Sequence, residues 1–130
     1  MSEGKTEDTI ISAEEMAAYR ATLERRTQAS RQALAERRNA AWDVAHQATA
    51  LLRERFGATK VVAFGSLVHG QGFSPSSDID LAVWGVTPDA YFTAVAQLQD
   101  LSAAFKIDLV DMAHCKDSLR EVIEKGGIEL

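Results

Sequence analysis

The chain has a single cysteine, Cys115, among 130 residues. That excludes an internal disulfide and any zinc site built on several thiolates, and it matches a reducing, cytoplasmic setting. No apolar run approaches the roughly 20 residues that a membrane span needs, so no membrane partner is expected. The first eight residues are polar and acidic and lack the basic-then-apolar opening of a secretory signal. Basic residues are also in short supply, 14 Lys and Arg against 19 Asp and Glu, for a net charge of −5. The deficit is uneven: residues 12–56 carry eight Arg and a net +2, whereas residues 57–130 carry ten acidic residues and a net −5. An acidic C-terminal half lacks the basic stripe of a nucleic-acid binder.

What is present describes a soluble globular chain, 46% hydrophobic and 25% charged, of a length that suits one domain. Residues 1–11 read as a flexible tail, and Ser12 with Glu15 forms a capping box. From there to about Arg55 there is no Gly or Pro, and a weak apolar stripe runs through Met16, Tyr19, Leu23, Leu34, Ala41, Ala45, Ala48 and Leu52. Gly57 is the natural stop. Unbroken, that helix would measure about 60 Å, against about 25 Å for a domain made from the rest. The reading is two helices, roughly 13–38 and 40–56, the first contributing to a partner interface. The alternative is one helix with an exposed outer half.

Beyond Gly57 the period changes. Residues 60–64, 79–84 and 106–110 read as strands. Residues 67–77 are rich in Gly and Ser and read as a loop. Thr87-Pro88 opens a helix running to about Ala104. Asp117 to Lys125 forms a last helix closed by Gly126-Gly127, with residues 128–130 as a tail. The order α, β, β, α, β, α describes an α/β or α+β domain on a small sheet, with a long N-terminal helical extension. The domain division is a tail at 1–11, the extension at 12–44 and a second domain at 45–130.

The chemistry concentrates at residues 64–81. A strand ends in Gly65-Ser66, a Gly-rich loop follows, and the next strand opens Asp78-Ile79-Asp80. Strand side chains alternate, so Asp78 and Asp80 share a face. Two carboxylates there repel unless a cation sits between them, and hard oxygens select Mg²⁺ or Mn²⁺. Gly65 lets a phosphate approach the backbone, and Ser66 with the amides after it can bind phosphate oxygens. Asp108, a carboxylate inside the apolar third strand, completes three ligands for two metal ions if that strand lies beside the second. It would also lower the pKa of an attacking hydroxyl or accept its proton.

Gly65-Ser66, an eleven-residue spacer, Asp78-Ile79-Asp80 and then Ile107-Asp108-Leu109-Val110 resemble the DNA polymerase β-like nucleotidyltransferases, and among them the minimal, MNT-type proteins. The resemblance covers about residues 45–130. It implies an α+β fold, a small mixed sheet flanked by helices, and transfer of a nucleoside monophosphate, AMP from ATP, with Mg²⁺ and release of pyrophosphate. It further implies Asp78, Asp80 and Asp108 as catalytic metal ligands and Gly65, Ser66, His69 and Gly70 around the nucleotide. It implies a HEPN-domain toxin as partner, modified on a tyrosine, with this chain as antitoxin and oligomerisation through the N-terminal helix. The second expectation is a nucleotide-holding module that neutralises its partner by contact. Two features depart from the pattern. The spacer is one residue longer than usual in the minimal group. Leu67-Val68-His69-Gly70 stands in place of Arg-x-Arg-Gly, and a neutral imidazole binds a triphosphate less strongly than a guanidinium.

The remaining candidates have plain structural readings. Asp111 faces away from Asp108 and reads as a capping residue. His46 and His114 read as structural or exposed, Cys115 as partly buried, and Trp42 and Trp84 as core. Arg25-Arg26 and Arg37-Arg38 read as solvated helix face that can draw in an anionic nucleotide or acidic partner.

Overall fold

In a computed structural model, residues 11–130 are described, so all but the last residue of the expected tail at 1–11 lies outside them. The elements in order are α1 (Ala13–Phe56), β1 (Lys60–Phe64), α2 (Ser66–His69), β2 (Ile79–Trp84), α3 (Pro88–Gln99) and β3 (Ile107–Asp111). A 3₁₀ turn (Met112–His114), α4 (Asp117–Gly126) and β4 (Ile128–Glu129) follow. The chain divides into a unit ending at Ala35 and a second from Glu36 to Leu130.

The expected break near Asn39 is absent: α1 is one helix of 44 residues. No Gly or Pro interrupts it, and its abundant Ala, Arg, Glu, Gln and Leu carry helix propensity through the weak part of the stripe. Its start is as read, with the Glu15 amide donating to Ser12 Oγ at 3.0 Å. Between Ala13 and Ala35 nearly every residue is exposed. In the second unit the stripe is buried at Ala41, Val44, Ala45, Ala48, Thr49 and Leu52. Gly57, with φ +68°, ends the helix, and the Ala58 amide reaches back to Leu52 O at 3.0 Å.

The sheet order is β3-β2-β1-β4. β1 runs antiparallel to β2 and β4, and β2 runs parallel to β3. Residues 128–129, expected as a tail, instead pair with Val62 and Ala63. Register fixes two faces. One carries Val62, Phe64, Asp80, Ala82, Trp84, Asp108 and Val110. The other carries Val61, Ala63, Ile79, Leu81, Val83, Ile107 and Leu109.

On the first face Val62, Phe64 and Ala82 form a buried cluster with Met112 and with Ile123 of α4, joined by Trp84, Val110, Cys115 and Leu119. The two tryptophans are half-buried, as is Cys115, and Lys60 Nζ lies 4.7 Å from the Trp84 ring centre. Ile79, Leu81 and Val83 on the opposite face are wholly buried. α3, with Ala94 and Leu98 buried, packs against β3.

Two further boundaries differ from expectation. α3 stops at Gln99, not Ala104: the Asp100 amide turns back onto Gln97 O and Leu98 O. The Gln99 side chain serves β3 instead, its Nε2 donating to Ile107 O and its Oε1 accepting from Ile107 N. Thr87 holds the N-cap position, but its hydroxyl makes no capping bond; its backbone oxygen accepts from Ala90 and Tyr91. The stretch after Ser66 is not all loop, since residues 66–69 form a single helical turn.

Candidate active site

The parallel β2–β3 ladder places Asp80 directly beside Asp108. Parallel partners share a face, so the expected pairing of the second and third strands brings these two carboxylates together. Asp78, two residues before Asp80, joins them electrostatically. The Asp80 carboxyl is pushed up to about 6 from its ordinary 3.8, first by burial and then by the charges of Asp108 and Asp78. Asp108 Oδ1 lies 3.7 Å from Lys106 Nζ, both of them well exposed.

β1 delivers Gly65 against this group. A Cβ built on Gly65 would stand 2.4 Å from Asp80 Oδ2, and its φ is +79°. Only glycine satisfies both the left-handed backbone and the carboxylate pressed against it. The turn α2 that follows is closed by the amides of Val68 and His69, both on Gly65 O at 3.2 Å, and by the Gly70 amide on Ser66 O at 2.9 Å. The Val68 and His69 amides, expected among those free for phosphate, are therefore committed within the turn. Ser66 opens the turn and is half-buried. Gly70 closes it with φ +76°. His69 is exposed, with its ring against Gly126: a Cβ there would lie 3.2 Å from the imidazole Nε2.

The longer spacer is a built turn. Phe73 is buried, and Ser74 and Ser77 close a loop through Ser74 N to Ser77 Oγ (2.8 Å) and Ser77 N to Ser74 O (3.1 Å). This returns the chain to the start of β2, where Ile79 N donates to Lys106 O at 2.9 Å.

Among the described residues, no three His, Cys, Asp or Glu side chains converge closely enough to hold a metal ion. Asp80 and Asp108 share a face, Asp78 stands just before the strand, and the three do not close on one point. Their chemistry nevertheless fits Mg²⁺ or Mn²⁺: all donors are hard oxygens, and Asp80 holds its proton unusually firmly when no cation offsets its neighbours.

Asp111 faces away from Asp108 and caps the 3₁₀ turn, Oδ1 accepting from Ala113 N at 3.0 Å and Oδ2 lying 3.1 Å from His114 Nδ1. These two, with Pro88, Tyr91, Phe92 and Val110, line a cavity of about 500 Å³ that includes none of the three aspartates. The Tyr91 hydroxyl donates to Leu109 O at 2.6 Å, and burial, followed by the charges of Asp111 and Asp108, raises its pKa. His46 is exposed and lies 6.2 Å from the Trp42 ring, centre to centre.

The reading of Arg37-Arg38 as solvated face is overturned. Arg38 donates from Nε to Leu67 O at 2.9 Å and from Nη2 to Val68 O at 3.0 Å. Arg37 donates from Nη2 to Ala104 O at 2.9 Å and lies 4.3 Å above the Phe105 ring. Sequence carries no signal for this, because an Arg pair on a helix looks the same whether it faces water or a loop.

A strand ending in Gly-Ser, an Asp-x-Asp strand beside it and a third carboxylate on the next parallel strand make up a nucleotidyltransferase fold. Residues 46–130 match the polymerase beta nucleotidyltransferase family, and the chain belongs to it. In structure the chain is also similar to chains of solved toxin–antitoxin complexes. It is similar to a chain of a toxin–antitoxin complex solved with AMP-PNP, at 25% identity and a TM-score of 0.54 over 62% of this chain and 67% of that one. It is also similar in fold to a chain of the MntA–HpeT toxin–antitoxin (22% identity, TM-score 0.54, 65% and 69% covered). A third likeness is to a complex of tri-AMPylated Shewanella oneidensis HEPN toxin with MNT antitoxin (22%, 0.52, 68% and 70%). No curated protein matches the sequence. Among the described residues no helix is long and apolar enough to cross a membrane.

Proposed function

We propose that this nucleotidyltransferase moves AMP from ATP onto a hydroxyl, a tyrosine of a HEPN-type toxin, and so acts in the cytoplasm as that toxin's antitoxin. The observation that carries the reading is the register of Asp80 against Asp108, with the Gly65 backbone pressed under the Asp80 carboxylate. The partner class rests on the likeness to complexes that hold AMP-PNP or an AMPylated HEPN toxin. The catalytic domain is taken as 45–130 and the extension as 12–44.

In this reading Asp78, Asp80 and Asp108 would hold divalent cations, Mg²⁺ or Mn²⁺, which would offset the charge of the carboxylates and of the triphosphate. Gly65, Ser66, His69 and Gly70 border the phosphates. Asp108 accepts the proton of the attacking hydroxyl. The hydroxyl oxygen forms a bond to the α-phosphorus as the bond to the bridging oxygen breaks, and pyrophosphate leaves. With His69 where a guanidinium is usual, ATP binding is weaker than in relatives that keep the arginines.

A second reading, neutralisation by contact, is favoured by the exposed Tyr19 and Leu23 on the outer half of α1. One experiment separates the two. The protein is incubated with ATP labelled on the α-phosphate, Mg²⁺ and a HEPN-domain protein encoded beside it. Transfer reads as label on the partner, lost in Asp78→Ala/Asp80→Ala together with protection from the toxin. Full protection by the unlabelling double variant would mean that contact alone does the work.

A further inference from the structure

We propose that Arg37 and Arg38 are positioning residues of this site: Arg38 fixes the Gly65–Gly70 turn, and Arg37 fixes the chain leading into the strand that bears Asp108. The inference rests on the nucleotide-transfer reading of the site, and goes beyond it by extending the working unit past the family-matched residues 46–130. Both arginines belong to the compact unit that begins at Glu36.

A helix of a single turn leaves its last carbonyls without helical partners. In α2 two of these are Leu67 O and Val68 O, and the Arg38 fork takes both, from Nε at 2.9 Å and from Nη2 at 3.0 Å. The same guanidinium lies against Gly70, where a Cβ would meet its carbon at 3.3 Å and its nitrogens at 3.4 and 3.5 Å. The turn is therefore gripped at both ends, Gly65 against the Asp80 carboxylate and Gly70 against Arg38. A planar fork can hold two successive carbonyls in one orientation, which a point charge on a flexible stem cannot.

Arg37, the preceding residue of α1, reaches the other loop. Its Nη2 donates to Ala104 O, and its guanidinium covers the ring of the buried Phe105. Lys106 comes next, and its carbonyl accepts the Ile79 amide at 2.9 Å, alongside the register that sets Asp80 beside Asp108. Two neighbouring residues of one helix thus tie the phosphate-side turn and the proton-accepting strand to a common frame.

Amide hydrogen exchange on the full, nucleotide-free chain tests this without reliance on turnover. Arg38→Ala should speed exchange at residues 66–70 by about tenfold or more while β2 stays protected, because a charge-assisted pair of bonds is lost locally. Arg37→Ala should do the same at 104–107. Arg38→Lys should not restore protection at 66–70. Kinetics with ATP should split: Arg38→Ala raises KM about tenfold with little change in kcat, and Arg37→Ala lowers kcat with little change in KM. Restoration by Arg38→Lys would overturn the fork. A uniform loss of protection across all strands in either alanine variant would reduce that arginine to a general stabiliser and overturn the proposal. If the unaltered protein transfers no AMP, the functional reading falls, and hydrogen exchange alone still decides this inference.

Discussion

The two faces of the central sheet are built from the same strands and do opposite work. On one face Ile79, Leu81 and Val83 of β2 are wholly buried, aligned with Ile107 and Leu109 of β3. On the other, the same six-residue strand presents Asp80, Ala82 and Trp84, and at its Asp80 end the face gives up apolar packing for carboxylates. Period-two alternation lets one short strand anchor the core and carry the site. One face is apolar throughout; the other adds a buried cluster of its own but holds like charges together at its Asp80 end.

The largest expected effect comes from attacking the apolar face. Leu81→Ala should destabilise the protein by about 3–4 kcal/mol, measured by denaturant unfolding, since a wholly buried leucine leaves a cavity that its neighbours fill poorly. A loss below about 1 kcal/mol would mean this face is not the main source of stability.

The acid face should respond with the opposite sign. Asp80→Asn should stabilise the metal-free protein at pH 7 by about 1–2 kcal/mol, discounted for its half exposure, while abolishing transfer. The pH dependence follows. A carboxyl raised from 3.8 to about 6 on folding holds its proton more tightly in the folded state. Its favourable contribution is complete below about pH 4 and is lost as pH rises through about 6. Unfolding of the metal-free protein at successive pH values should show that decline in the unaltered chain and its absence in Asp80→Asn. Mg²⁺ should recover stability above pH 6.

A smaller effect probes the edge between the faces. Tyr91→Phe removes the hydroxyl that bonds Leu109 O and should cost about 1 kcal/mol in unfolding experiments. Smallest of all, Lys106→Ala breaks an exposed pair with Asp108 and should change stability by less than about 0.5 kcal/mol.

Much of the acid face was legible in sequence, and little of what supports it. Asp80 and Asp108 stand out because each interrupts the middle of an apolar strand, where alternation assigns it a face, and Asp78 stands out by its two-residue spacing from Asp80. Gly65 was legible as a close-approach glycine, although what approaches it here is the Asp80 carboxylate. The unbroken α1 was misread because chain dimensions argued for a break where local propensity did not. β4 was missed because two residues carry no periodicity, and pairing with Val62 and Ala63 decides their state. The helical turn at 66–69 was hidden by its flanking glycines. Gln99 and the Arg37-Arg38 pair were illegible for a shared reason: each acts through a side chain on backbone atoms remote in sequence, and no spacing encodes that.

The central claim is that the carboxylate face is the reacting site, and Asp108→Asn tests it most directly. This change keeps shape and removes the capacity to accept a proton. At saturating ATP and Mg²⁺, with a HEPN-domain protein offered as acceptor, the rate of AMP transfer should fall by about a hundredfold or more while thermal stability is preserved or raised. Transfer at the unaltered rate by Asp108→Asn would contradict the account.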